Sequence, residues 1–95
     1  MVTFGEKLKN LRLEKGLTLY ALSTASGLRE STIYNIEKGN RPASEDNMRK
    51  LASVPALDIT YEKLRVWQVL EKASKEDLEY LISELEKMKD QKDKS

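Results

Sequence analysis

The 95-residue chain contains no cysteine and no histidine. Disulfides, thiolate nucleophiles, imidazole acid–base chemistry and cysteine- or histidine-based zinc sites are thereby excluded. An enzyme built from these residues would have only carboxylates to work with. They are scattered among lysines and arginines with no glycine-rich phosphate loop beside them, so the sequence predicts no catalytic activity, cofactor or metal. No segment approaches the about 18 consecutive apolar residues that a membrane span needs. The opening Met-Val-Thr-Phe-Gly-Glu-Lys-Leu lacks an apolar run of signal-peptide length, so the expected location is cytoplasmic and away from membranes.

What is present fits a single folded domain. Charged residues make up 35 % of the chain in near balance and hydrophobic residues 39 %, a composition that can bury a core. A chain of this length builds only a modest core, so self-association would add to its stability. The charge is unevenly spread. Residues 1–41 hold seven basic side chains against four acidic ones, and the remainder holds ten against twelve. A weakly basic front and an acidic rear suit a small protein that meets a polyanion on one side only.

Apolar spacing predicts an all-α chain. Phe4, Leu8, Leu11 and Leu13 mark a first helix to about Lys15, ended by Gly16. Thr18 can cap a second helix to Ser26, with Leu19, Leu22 and Ala25 on one face, before Gly27. Leu28, Ile33 and Ile36 form the inner side of a third, from about Glu30 to Lys38, closed by Gly39. Glu30, Ser31, Tyr34 and Asn35 fall on its other side. Ser44 caps a fourth helix carrying Met48, Leu51 and Ala52, which Pro55 stops. Thr60 opens a fifth with Tyr61, Leu64, Trp67 and Leu70 inward, and Ser74 to Asp77 resembles a capping box that starts a sixth. In that last helix Leu78, Leu81, Ile82, Leu85 and Met88 form an apolar seam at three- and four-residue steps, and Lys89 to Ser95 reads as a frayed tail. The expected division is a domain over 1–70 and a C-terminal helix over 74–91.

Two short helical patterns bent about Gly27 have the layout of a helix-turn-helix. The stretch from Phe4 to about Leu64 resembles the lambda-repressor-like, or Xre-type, DNA-binding family. The matching residues are Gly5-Glu6-Lys7-Leu8, Leu11-Arg12, Lys15-Gly16-Leu17-Thr18, Leu22, Gly27-Leu28, Ser31-Thr32-Ile33, Ile36-Glu37-Lys38-Gly39, Arg41-Pro42 and Leu51-Ala52. The resemblance implies a five-helix domain, here followed by the C-terminal amphipathic helix. It also implies that Arg12 and Glu37 form a buried ion pair joining the first and third helices. Three positions depart from the family pattern: Leu19 replaces a phosphate-touching Gln, Ser23 a small Ala, and Arg29 the usual Ser or Thr cap.

If family docking holds, Glu30, Ser31, Tyr34 and Asn35 lie nearest the bases, and this requires the face carrying Asn35 to be exposed and unpaired by the protein itself. The Asn35 amide suits a bidentate pair with adenine N6 and N7. Glu30 suits either cytosine N4 or a purely favourable position at the positive end of the helix dipole. Arg29, Lys38, Asn40 and Arg41 are placed at the two ends of the third helix for phosphate contacts; Thr32 either joins them or simply completes the first turn. The seam of Leu78, Leu81, Ile82, Leu85 and Met88 either folds back on the domain or docks on a second copy, and the dimer is the preferred reading because two recognition helices on a two-fold axis read a palindromic site. The function so implied is a sequence-specific regulator of transcription, a dimeric repressor of double-stranded DNA. The alternative is an interaction module of the same fold, or else an antitoxin or controller protein, that grips a protein partner such as a toxin or antirepressor through its last helix.

Overall fold

The computed structural model describes residues 3–72 and 75–94, with backbone alone at 75, 81 and 88–94. Six α-helices, α1 (Phe4–Glu14), α2 (Leu19–Ser26), α3 (Glu30–Glu37), α4 (Glu45–Ala52), α5 (Tyr61–Lys72) and α6 (Lys75–Lys94), account for most of it, and no strand occurs among the described residues. Side-chain oxygens start four of them. Thr3 accepts from the Glu6 N–H, Thr18 from Ala21, Ser44 from Asn47 and Thr60 from Lys63, each satisfying an N–H that the helix leaves without a partner. At α4 the cap is reciprocal, because the Asn47 side chain accepts from the Ser44 N–H. The Ser74 box lies outside the described residues.

The core is drawn from α1 to α5: Phe4, Leu8, Leu22, Leu28, Ile33, Ile36, Met48, Leu51 and Leu64 are buried. Leu11, Leu19, Tyr61 and Trp67 pack partly against them. Three inward assignments from the spacing do not hold. Leu13 is exposed, since the first helix turns it away just before its end, in α2 it is Ser26 rather than Ala25 that is buried, and Leu70 near the end of α5 is half-buried without packing on this core. One further feature has no periodic signal at all. The link between α4 and α5 folds into a single 3-10 turn at Pro55–Leu57, which buries Val54, Leu57 and Ile59.

Helix α1 crosses α3 at backbone contact. A Cβ on Gly5 would run into the carbonyl oxygens of Ile36 and Glu37, so only glycine permits this approach. Farther along the same helix, Arg12 is buried against Glu37. Its Nε donates to Oε2 at 2.7 Å and its Nη2 to Oε1 at 3.1 Å, while Nη1 donates to the Leu17 carbonyl at 2.9 Å. One guanidinium thus ties α1 to α3 and to the entry of α2.

Helix α5 completes the domain. Trp67 meets the Phe4 ring edge-on at 6.3 Å and carries the Lys7 ammonium over its face. The Arg49 guanidinium of α4 lies 4.4 Å from the centre of the Tyr61 ring and also binds Glu45, whose carboxyl is held below its ordinary range by that hydrogen bond and by the neighbouring positive charge. Gln68 Nε2 donates to the Ala43 carbonyl, pinning the loop after α3. Helix α5 continues to Lys72, past the domain boundary read at 70. Helix α6 runs on through Lys94, where a frayed tail is read from the sequence; no glycine or proline interrupts that stretch.

Candidate nucleic-acid interface

Two serines build the turn between α2 and α3. Gly27 adopts φ 79°, the left-handed conformation that reverses the chain, and its N–H donates to the Ser23 carbonyl at 3.0 Å. Ser23 Oγ donates to the Leu28 carbonyl, and the Leu28 N–H donates to Ser26 Oγ at 3.2 Å. These bonds explain why Ser26 can be buried: its hydroxyl satisfies a backbone N–H that would otherwise be orphaned. Ser23, which stands where the family pattern has a small Ala, is a structural tie across the turn.

Helix α3 then presents one buried and one outer side. Ile33 and Ile36 anchor it in the core, while Glu30, Ser31 and Tyr34 are exposed and Thr32 is half-buried. Its N-terminus has no side-chain cap, because Arg29 cannot accept a hydrogen bond. The first-turn N–H groups therefore receive no side-chain acceptor and lie beside an exposed cation, an arrangement suited to a phosphate. At the other end, Lys38, Asn40 and Arg41 are exposed. Among the described residues no ion pair engages Arg29, Lys38 or Arg41, although the Lys38 ammonium rests over the Tyr34 ring at 5.7 Å.

Asn35 departs from the expectation of a free side chain. It is half-buried, and both ends of its amide are engaged: Nδ2 donates to the Ser31 carbonyl at 2.9 Å and Oδ1 accepts from Asn40 Nδ2 at 3.3 Å. The cause is the helix end. With Gly39 at φ 78°, the chain folds back so that Asn40 lies beside Asn35, one residue type and spacing whose meaning depends on that turn. The rest of the outer face stays open.

The chain from residue 8 to 61 matches the helix-turn-helix family model. It belongs to the lambda-repressor-like, Xre-type helix-turn-helix family. The match indicates a DNA-binding regulator rather than an enzyme. Two curated Bacillus subtilis (strain 168) proteins are similar to this Xre-type chain over 65 residues, 67 % of its length. The HTH-type transcriptional repressor RghR is 43 % identical, and the match covers 47 % of it; the uncharacterized HTH-type transcriptional regulator RghRB is 38 % identical, with 45 % covered. The chain spans about half the length of these relatives.

Beyond the matched region lies the seam of α6. Leu78 is half-buried, Ile82 and Leu85 are exposed, and the side chains of Leu81 and Met88 lie outside the described residues. Helices α5 and α6 together bound a groove of about 340 Å³ lined by Arg65, Val66, Val69, Leu70 and Leu85. Val66 and Val69 did not stand out in the sequence, where α5 shows an inward stripe of Tyr61, Leu64, Trp67 and Leu70; Leu70 lines this groove rather than the core. No described helix is long and apolar enough to cross a membrane, and no described cluster of acidic side chains could hold a metal.

Proposed function

We propose that this protein binds double-stranded DNA sequence-specifically as a homodimer and represses transcription. The observation that carries the reading is the outer side of α3: exposed Glu30, Ser31 and Tyr34 flanked at both ends by cations that no carboxylate among the described residues engages. In a helix-turn-helix this side enters the major groove with its N-terminal residues leading. Glu30 and Ser31 then stand closest to base edges, with Tyr34 and Asn35 one turn behind. Arg29, Thr32, Lys38 and Arg41 supply the phosphate contacts that set the register without reading sequence. Lys38 can leave the Tyr34 ring for a phosphate, since an exposed cation–π contact is worth only about 0.5 to 1 kcal/mol.

A second copy is the occupant we assign to the α5–α6 groove. One recognition helix spans too few base pairs for selectivity, and a two-fold pair reads half-sites roughly 34 Å apart. Val66, Val69, Ile82 and Leu85 leave about half or more of their surface in water, and self-complementary burial of the same patch on both copies removes it. Repression requires only occupancy of a promoter. The name of the relative RghR supports that sense of regulation.

The test is the dependence of affinity on salt. A dimer using about three cations per copy neutralises about six phosphates, so affinity for duplex DNA should fall about a thousandfold between roughly 50 and 200 mM salt. Retention of DNA that ignores salt, or none at all, would instead favour the protein-interaction module suggested by Leu19 at the family's Gln position.

A further inference from the structure

The end of α3 contains a polar latch on its own recognition surface. The Gly39 N–H donates to the Ile36 carbonyl at 3.1 Å and the Asn40 N–H to the Asn35 carbonyl at 3.0 Å, the two-bond pattern of a Schellman motif. That motif ordinarily closes with an apolar contact between the side chains at the Asn35 and Asn40 positions. Here both are amides, and the contact is the Asn40 Nδ2 to Asn35 Oδ1 hydrogen bond.

The network leaves the Asn35 amide one orientation. A backbone carbonyl only accepts, so the end facing the Ser31 oxygen must be the NH2 group. The other end is then the carbonyl oxygen, and Asn40 must turn its own NH2 group toward it. A primary amide has two N–H groups and two lone pairs. One of each remains on Asn35, the donor and acceptor that an adenine N7/N6 edge takes.

We propose that Asn40 is a positioning residue for DNA readout: it holds the Asn35 side chain in a fixed orientation before DNA arrives and so sets discrimination at a base pair it does not touch. The inference rests on the reading that the outer side of α3 meets base edges. It differs from the role the sequence suggests for Asn40, a phosphate contact, in what its loss would do. A missing phosphate contact weakens all sequences alike and reduces the salt slope by about 1. A missing positioning bond falls on one base pair and leaves the slope alone, because only the ordering of Asn35 has to be supplied at binding.

The experiment uses the full chain and the duplex that the wild-type protein selects from a random pool, together with every single-base-pair variant of that duplex. Affinities are measured for wild type, Asn35→Ala, Asn40→Ala and Asn40→Ser, the last retaining a hydroxyl donor, with melting temperature and salt slope recorded for each. Asn35→Ala should lose discrimination at one base pair. At that same base pair Asn40→Ala should lose about three- to tenfold, with Asn40→Ser recovering part of it, an unchanged slope and an unchanged melting temperature. In the free protein, the side-chain amide resonances of Asn35 should shift in Asn40→Ala. Uniform weakening with a reduced slope, or wild-type discrimination in Asn40→Ala and Asn40→Ser, overturns the proposal while leaving Asn35 as a base reader. Unchanged discrimination in Asn35→Ala overturns that reading of Asn35, and the positioning role with it.

Discussion

Arg12 uses three guanidinium nitrogens on two other parts of the chain, and both it and Glu37 are almost wholly withdrawn from water. Their removal from solvent is repaid only while both are present. Arg12→Ala should therefore cost about 3 to 5 kcal/mol in urea unfolding, since Glu37 would be left buried and uncompensated. Gly5 makes the opposite kind of demand. Glycine inside a helix is normally improved by alanine, by about 1 kcal/mol. At this position the added methyl meets the backbone of α3, so Gly5→Ala should instead lower stability by about 3 kcal/mol, measurable in the same unfolding series. The pair Arg12–Glu37 could be named from the resemblance, whereas the clash at Gly5 requires the crossing of two helices to be seen.

At the scale of elements, the recognition helix has given up a cap for a cation. Arg29→Ser should raise stability by about 1 kcal/mol by capping α3, while weakening DNA binding equally on all sequences; a thermal melt and a binding titration on two unrelated duplexes check the two halves. The six helices were legible because their punctuation is local: glycines 16, 27 and 39 end helices in the left-handed conformation, and Thr18, Ser44 and Thr60 start them. The link holding Val54, Leu57 and Ile59 was not legible, because a single 3-10 turn has no repeat long enough to reveal a buried side. Nor was the choice of Ser26 over Ala25 as the buried residue of α2, which depends on a hydroxyl finding the Leu28 N–H across a turn. In the candidate site, the outward set of Glu30, Ser31 and Tyr34 followed from helical periodicity alone. The engagement of Asn35 by Asn40 did not, since it needs the chain reversal at Gly39 to bring the two amides together.

For the whole molecule, the proposed DNA-reading surface lies on α3 and the proposed dimer surface on α5 and α6. Helices α1 to α5 share the core that holds α3 in place, with α5 fastened through Leu64, Trp67, Tyr61 and Gln68. The proposed dimer surface leaves apolar side chains in water that the core does not need. Leu85→Glu should accordingly leave the melting profile of the domain intact, convert the protein to a monomer in sedimentation at micromolar concentration, and reduce affinity for a two-half-site duplex far more than for a single half-site. Joint reading of double-stranded DNA by two copies of the α3 surface is decided by selecting duplexes from a random pool with the full chain. An inverted repeat whose half-sites are centred about one helical turn apart should be enriched. A pool from which no sequence is enriched would rule joint reading out.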